Sequence, residues 1–153
     1  MAENETDLAV FIVEAKRAAY ASGNGGETKP TRPGAKDIPY KQGQFTYLDS
    51  YYGEIHFSGQ EVVLQDEVAI WSMNYFGYTI DPVEGFPVFL NECLMEVNID
   101  APFRGASYKQ KEDFEYVCQW EGDLYRFSGK EKILYKGKEI FILDFHGGVI
   151  QYC

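Results

Sequence analysis

The feature that most constrains this sequence is that its second half resembles its first. Residues 57–77 (FSGQEVVLQDEVAIWSMNYFG) align with residues 127–147 (FSGKEKILYKGKEIFILDFHG) at an offset of 70, and seven of the 21 positions are identical. With a shift of one residue the match continues upstream through the pairs Phe45/Phe114, Tyr47/Tyr116, Tyr51/Trp120 and Gly53/Gly122. A unit this short buries little apolar surface alone, so the two copies are predicted to share one core.

The pattern of each unit predicts a helix, then a loop, then three strands. Apolar residues at three- and four-residue spacing predict a helix over 7–21, with Leu8 and Phe11 on the buried side and Lys16 on the opposite side. A second helix is predicted over 82–97. The stretches 22–39 and 100–113 are rich in Gly, Pro or polar residues and predict loops. Alternation and turn residues after Phe45 and after Phe114 predict a three-stranded antiparallel meander in each unit.

These elements predict one α+β domain made of two repeats, about 7–80 and 82–152. Two helices would pack on antiparallel sheet about a pseudo-two-fold axis, and the chain of 153 residues, 45% of them apolar, suffices for one core. A groove between the repeats is the expected place for a ligand. The third strands are apolar on both faces at 68–71 and 140–143, so a homodimer would cover an exposed sheet face.

Charge and composition exclude several classes of function. Asp and Glu number 24 against 14 Lys and Arg, a net charge of −10 that repels nucleic acid and anionic lipid, so neither is expected as a direct partner. No apolar run approaches the roughly 18 residues of a membrane span, and the acidic start is unlike a signal peptide, which predicts a cytoplasmic protein. Three scattered cysteines and two histidines 90 positions apart, His56 and His146, predict neither a metal site nor a cofactor.

Glu61 and Glu131 are the first candidate ligand-binding residues. Alternation puts each on the strand face that also carries Phe57 or Phe127, and a carboxylate there is costly unless paired. Its partner could be Arg32, Arg104, a tyrosine hydroxyl, a backbone N–H or a cationic ligand. The candidate site therefore comprises Glu61, Glu131, Arg32 and the aromatic walls Tyr47, Trp71, Tyr116 and Trp120. In the alternative interpretation the glutamates are structural and hold an Arg-containing loop in place.

Positions at which the two copies differ are a second source of candidates. Asp49 aligns with Cys118, and Phe76 aligns with His146. Asp49 with Glu61 would be an acid/base pair if both face one cleft. Cys118 with His146 would be a thiol nucleophile and its base, but no basic neighbour in the sequence lowers the thiol pKa, which favours a buried strand cysteine.

At FSGKEKILYKGKEIFILDFHGGVI and FSGQEVVLQDEVAIWSMNYFG the chain resembles a bacterial family of uncharacterised domains. Members of that family occur alone or C-terminal to a helix-turn-helix DNA-binding domain of the XRE regulator type. The resemblance covers nearly the whole chain from Leu8 onward, including the loop at 32–34, and implies a stand-alone version because this chain has no helix-turn-helix segment. The duplicated unit is also similar to the effector-binding modules of multidrug-sensing regulators, although in those a strand precedes the helix.

Three hypotheses for function follow. The first is a non-enzymatic module that binds or senses a small molecule, cationic or aromatic, between the repeats. The second is an acidic protein-interaction module, antitoxin-like or immunity-like, steered to a basic partner by its charge. The third is an enzyme that uses Asp49 and Glu61; apart from that pair, no catalytic residue is assigned.

Overall fold

The computed structural model describes residues 2–22 and 29–153, which form two helices and one eight-stranded antiparallel sheet. Residues 23–28 of the predicted first loop lie outside this description. The first half contains α1 (Ala2–Ser22), β1 (Lys36–Gln42), β2 (Phe45–Gly53), β3 (His56–Gln65) and β4 (Val68–Thr79). The second half contains α2 (Phe86–Leu94), β5 (Tyr108–Lys111), β6 (Phe114–Asp123), β7 (Arg126–Tyr135) and β8 (Lys138–Val149).

The predicted fold class, with three strands in each repeat, is wrong. Each half has four strands; of the additional ones, β1 begins in the first stretch predicted as a loop and β5 lies within the second. Both are the outer edges of the sheet. β1 contains Pro39, which an edge strand tolerates, and β5 is a polar four-residue segment, YKQK. Neither segment shows the alternation by which a half-buried strand is recognised.

The two halves join in a single sheet, an arrangement that the sequence pattern of either half leaves open. The strand order is β1-β2-β3-β4-β8-β7-β6-β5, so β4 pairs with β8 at the centre. In that pairing Tyr75 lies opposite Phe145, its own equivalent in the alignment. This pairing satisfies the backbone groups of two strands that would otherwise be exposed edges. The halves are equivalent in detail, since a register shift follows Val63 in one and Ile133 in the other.

The helices cover one face of the sheet. Trp71 and Met73 of β4, and Phe141 and Leu143 of β8, are fully buried in one cluster with residues of both helices. The intervening residues Asn74, Phe76, Asp144 and His146 lie on the opposite face, which we call the open face. Phe76 is 50% exposed there. The period-two alternation predicted the inward face of β3 and β7 correctly, since Glu61, Val63, Phe127, Glu131 and Ile133 are all buried.

The helices begin at residues other than those predicted. α1 starts at Ala2, ahead of the predicted Asp7, and α2 starts at Phe86, four residues after the predicted Pro82. Gly85 precedes α2 with a φ of 88°, a left-handed conformation that favours glycine, and Pro87 follows in the first turn. In the part of the chain that the structure describes, neither helix is long and apolar enough to cross a membrane.

Candidate functional site

Glu61, the first predicted site residue, is buried in an ion pair with α1. Its Oε1 lies 2.6 Å from Lys16 Nζ, and it also accepts a hydrogen bond from the Tyr47 hydroxyl. Lys16 donates a further hydrogen bond of 2.6 Å to the carbonyl of Phe103, in the loop before β5. Lys16 is fully buried, so its predicted place on the solvent side of the helix is wrong. Lys16 therefore connects α1 to β3 through Glu61, and to the second half through the loop that contains Phe103.

Glu131 forms the equivalent cluster in the second half with a different cation. Arg104 donates from Nε and from one terminal nitrogen to the two carboxylate oxygens, at 3.2 and 2.9 Å. Tyr116, the equivalent of Tyr47, also donates to Glu131, and its hydroxyl accepts the backbone N–H of Gly105 at 3.0 Å. Glu131 is thus hydrogen-bonded to a buried loop arginine, which is the arrangement of the structural interpretation.

The remaining predicted site residues do not meet in one cavity with these. Trp71 is fully buried in the core, and its indole N–H donates to the carbonyl of Leu124 at 3.2 Å. Trp120 is half-buried and packs edge-on against Phe103, with ring centroids 6.3 Å apart. Arg32 is exposed, with its guanidinium 5.7 Å from the centroid of the Tyr52 ring.

The charges beneath the helices alter the ionisation of their neighbours. Asp49 lies opposite Glu61 in the β2–β3 register and accepts a hydrogen bond of 2.6 Å from the Tyr75 hydroxyl. Burial, together with the negative charge of Glu61, raises the pKa of Asp49 to about 7. The hydrogen bond from Tyr75 and the positive charges of Lys16 and Arg104 lower this pKa, but they offset only part of the increase. Burial likewise raises the pKa of Cys118 to about 12, so this thiol is no nucleophile at neutral pH.

We predict a pH dependence of stability that Asp49→Asn removes. The pKa of about 7 in the folded state exceeds the usual value of 3.8, so the folded state holds the proton more tightly. The stability that this proton confers is complete below about pH 4 and is lost as the pH rises through 7. We compare the free energy of unfolding of Asp49→Asn with that of wild type at each pH. The difference, variant minus wild type, should be about 2–4 kcal/mol larger at pH 8 than at pH 5. Urea unfolding at both pH values measures the difference, and an equal offset at both would contradict the raised pKa.

The open face carries two transverse rows of mostly polar side chains from both halves. In one row, strand register aligns Ser50, Gln60, Asn74, His146, Ser128 and Glu121. The adjacent row aligns Tyr52, Ser58, Phe76, Asp144, Lys130 and Gln119. Gln60 Nε2 donates to Asn74 Oδ1 at 2.8 Å. The rows cross the β4–β8 seam, so residues of both halves lie side by side there.

A hollow of about 430 Å³, here called the first hollow, lies across this seam. The residues that line it from the first half are Arg32, Ser50, Tyr52, Ser58, Gly59, Gln60, Asn74, Tyr75 and Phe76, and those from the second half are Asp144 and His146. A hollow of this size suits a small ring molecule.

A second hollow of about 770 Å³ occupies the equivalent place on the other half. The residues that line it are Gln119, Trp120, Glu121, Ser128, Gly129, Lys130, Asp144, Phe145 and His146. Lys130 and Asp144, the equivalents of Gln60 and Asn74, form an exposed ion pair of 3.6 Å. The two hollows therefore share a position in the fold and differ in charge.

One polar group that lines the first hollow is buried without a partner. Ser50 is 4% exposed, and within the described residues its hydroxyl makes no hydrogen bond of acceptable geometry, nor does Asp37 Oδ1. Although burial opposes ionisation, the closeness of the Ser50 hydroxyl, together with hydrogen bonds from Thr31, lowers the pKa of Asp37. The Ser50 hydroxyl therefore has the Asp37 carboxylate as a close acceptor, and its oxygen lone pairs remain able to accept a hydrogen bond from a ligand.

Sequence reasoning missed most of the first hollow because polar residues on an outer strand face look like ordinary solvated positions. Only Arg32 was among the predicted site residues, while Trp120 lines the second hollow. The usable signal was divergence between the copies, since Phe76 and His146 are aligned and both border the seam. Cys118 and His146 lie on opposite faces and do not meet. No group of three or more His, Cys, Asp and Glu side chains in the described residues is placed to hold a metal ion.

Comparison with known sequences identifies one family. Residues 49–150 match the family described as a domain of unknown function, DUF5680, from within β2 to the end of the sheet. No curated protein and no solved structure shows a significant match to the chain. Because the match spans well over half of the sequence, the chain belongs to the DUF5680 family.

Proposed function

We propose that this member of the DUF5680 family is a non-enzymatic module that binds or senses a small molecule in the first hollow. The observation that carries the proposal is that this hollow lies over the seam between the halves and is lined by both. Its polar lining includes a buried hydroxyl, Ser50, that lacks a well-aligned partner. A concave site with a few convergent polar groups is the usual form of a ligand pocket.

The proposal places the ligand on the open face and leaves the glutamates in the core. Glu61 and Glu131 already accept hydrogen bonds from a buried cation and a buried tyrosine each. A ligand would have to displace those partners, which is costly for a buried ion pair. Of the seven side chains predicted from the sequence, Arg32 is the one that the proposal retains for the first hollow.

A protein partner is the second candidate function. The uncovered sheet face and the net charge of −10 favour it, since a basic partner would be attracted electrostatically. The enzyme hypothesis has less support, because Asp49 and Glu61 lie beneath the helices, where Tyr75, Tyr47 and Lys16 already bind them.

The cellular setting is also part of the proposal. We expect a cytoplasmic protein of bacterial origin, related to domains that accompany XRE-type helix-turn-helix regulators, and acting without direct nucleic-acid or membrane contact. A homodimer formed through the open face would occlude both hollows, so ligand binding and that dimer would exclude each other.

A thermal-shift screen with a blocking variant tests the ligand site. The purified protein is screened against cationic, aromatic and nucleotide-like small molecules, together with Ser58→Trp, which fills the first hollow from an exposed position. Ser128→Trp places the same bulk at the equivalent exposed position of the second hollow. A ligand at 100 times its Kd should raise the Tm of wild type by about 5 °C or more.

The two variants separate the outcomes. Hits that stabilise wild type and Ser128→Trp but not Ser58→Trp support the proposal. Hits that stabilise Ser58→Trp equally would place the site elsewhere. A screen without hits would overturn the small-molecule function and favour the protein partner.

A further inference from the structure

The Gln60–Asn74 pair at the centre of the first hollow has unused hydrogen-bonding capacity. These residues lie opposite each other on β3 and β4, and the bond of 2.8 Å from Gln60 Nε2 to Asn74 Oδ1 uses one donor and one lone pair. Each side-chain amide has two N–H donors and one carbonyl oxygen. Within residues 2–22 and 29–153, Gln60 Oε1 and the Nδ2 of Asn74 make no other hydrogen bond. The pair therefore presents an acceptor and a donor on the open face.

Aromatic side chains flank this amide pair. In the neighbouring row Tyr52 and Phe76 lie on either side of Ser58, and they are 37% and 50% exposed. Exposed rings at the border of a hollow offer apolar surface to a flat ligand. The small Ser58 side chain between them leaves room for such a ligand above the sheet.

The second hollow provides a comparison within the same molecule. There, Lys130 and Asp144 replace the amide pair with an ion pair, and Glu121 and His146 replace the two aromatic residues. The same four strand positions thus carry two amides, a tyrosine and a phenylalanine in one half, and an ion pair, a glutamate and a histidine in the other. The backbone frame does not require amides at these positions, because the equivalent strands carry charged residues instead.

We infer that Gln60 and Asn74 select a neutral planar ligand whose edge carries a hydrogen-bond donor next to an acceptor, as a primary carboxamide or a nucleobase does. The inference rests on the proposed function and specifies its ligand class. Gln60 Oε1 accepts the ligand's N–H, and Asn74 Nδ2 donates to its carbonyl oxygen or ring nitrogen. An anion of the same shape has hydrogen-bond acceptors but no N–H donor. Gln60 Oε1 would then face a lone pair of the ligand and make no hydrogen bond.

Benzamide and benzoate are matched probes for this selection, because they share a ring and differ in the edge that meets the amide pair. Titration into ¹⁵N-labelled protein should shift the side-chain amide resonances of Gln60 and Asn74 saturably with benzamide. Because the Arg32 guanidinium also lines the first hollow and would attract an anion, the two probes are compared in Arg32→Gln protein, where benzoate should bind at least about tenfold more weakly, or about 1.4 kcal/mol. Equal binding of the two probes in the first hollow would overturn the inference while leaving the proposed function intact.

An exchange variant tests the residues themselves. Gln60→Lys with Asn74→Asp installs in the first hollow the pair that the second half already carries at equivalent positions, so the Tm should stay within about 2 °C of wild type. Benzamide binding should be lost in this double variant and unchanged in the control Lys130→Gln, whose side chain lines the second hollow but not the first. Absence of benzamide binding to wild type at 20 mM, on the order of the weakest affinity expected for a fragment, would overturn the inference. Hits blocked by Ser58→Trp would still support the proposed function.

Discussion

Glu131→Gln is expected to lower the free energy of unfolding by about 3–5 kcal/mol, because it leaves the Arg104 guanidinium buried without its counter-ion. Arg104 is 6% exposed and Glu131 is fully buried, so water cannot replace the lost interaction. The glutamine still accepts one hydrogen bond but carries no charge. In a domain of this size the loss corresponds to a decrease in Tm of roughly 6–20 °C, measured by calorimetry, and urea unfolding measures the free energy itself.

An exposed pair in the same half is the matched control. Lys132 and Glu139 are separated by the same nitrogen–oxygen distance as Arg104 and Glu131, 2.9 Å, but their side chains are 38% and 42% exposed. Glu139→Gln should therefore cost less than about 1 kcal/mol. Adding Arg104→Met to Glu131→Gln removes both charges and should restore much of the loss. If Glu131→Gln melted within 2 °C of wild type, the Glu131 carboxylate would not be needed for stability. Its retention in wild type would then favour a role in ligand binding.

The strand faces and the burial of the glutamates could be predicted because they depend on local alternation. Glu61 and Glu131 are 1% and 0% exposed, as expected for residues in phase with Phe57 or Phe127. Because a buried carboxylate is costly unless it is paired, each glutamate was expected to have a partner, and the structure shows one for both. Local periodicity holds for these residues because each strand is buried on one face only.

The identity of those partners could not be predicted. Lys16 is separated from Glu61 by 45 positions along the chain, and helical periodicity assigns a lysine to solvent unless a specific acid is known to face it. The edge strands β1 and β5 were missed for a related reason. Their residues are held by pairing with β2 and β6, not by an apolar pattern of their own.

The first hollow was even less accessible to sequence reasoning, because it depends on which strands become neighbours. Asn74 and His146 are 72 positions apart and meet only because β4 pairs with β8. The β4–β8 pairing is how the two halves join, and the sequence pattern of either half does not specify it. The alignment of the halves nevertheless contained a usable signal at Phe76 and His146.

Gly129→Ala is expected to destabilise the fold by about 3 kcal/mol for a steric reason alone. A Cβ at this position would lie 2.2 Å from Cζ of Phe145 and 2.6 Å from the backbone oxygen of Gln119. Phe145 is 2% exposed, so its ring has little space to move into, and the carbonyl belongs to the neighbouring strand. Overpacking of this kind costs about 1–3 kcal/mol or more. Urea unfolding measures the loss.

Two further variants separate steric overlap from backbone strain. Gly43 has a φ of 61°, and a methyl group added there would have nothing within 4 Å, so Gly43→Ala should cost only the roughly 1–2 kcal/mol of a left-handed alanine. Phe145→Leu removes the ring from the first overlap but leaves the contact with Gln119, so Gly129→Ala should be less costly in that background than in wild type. If Gly129→Ala were no less stable than Gly43→Ala, the Phe145 ring and the backbone of β6 at Gln119 would have moved to make room for the methyl group.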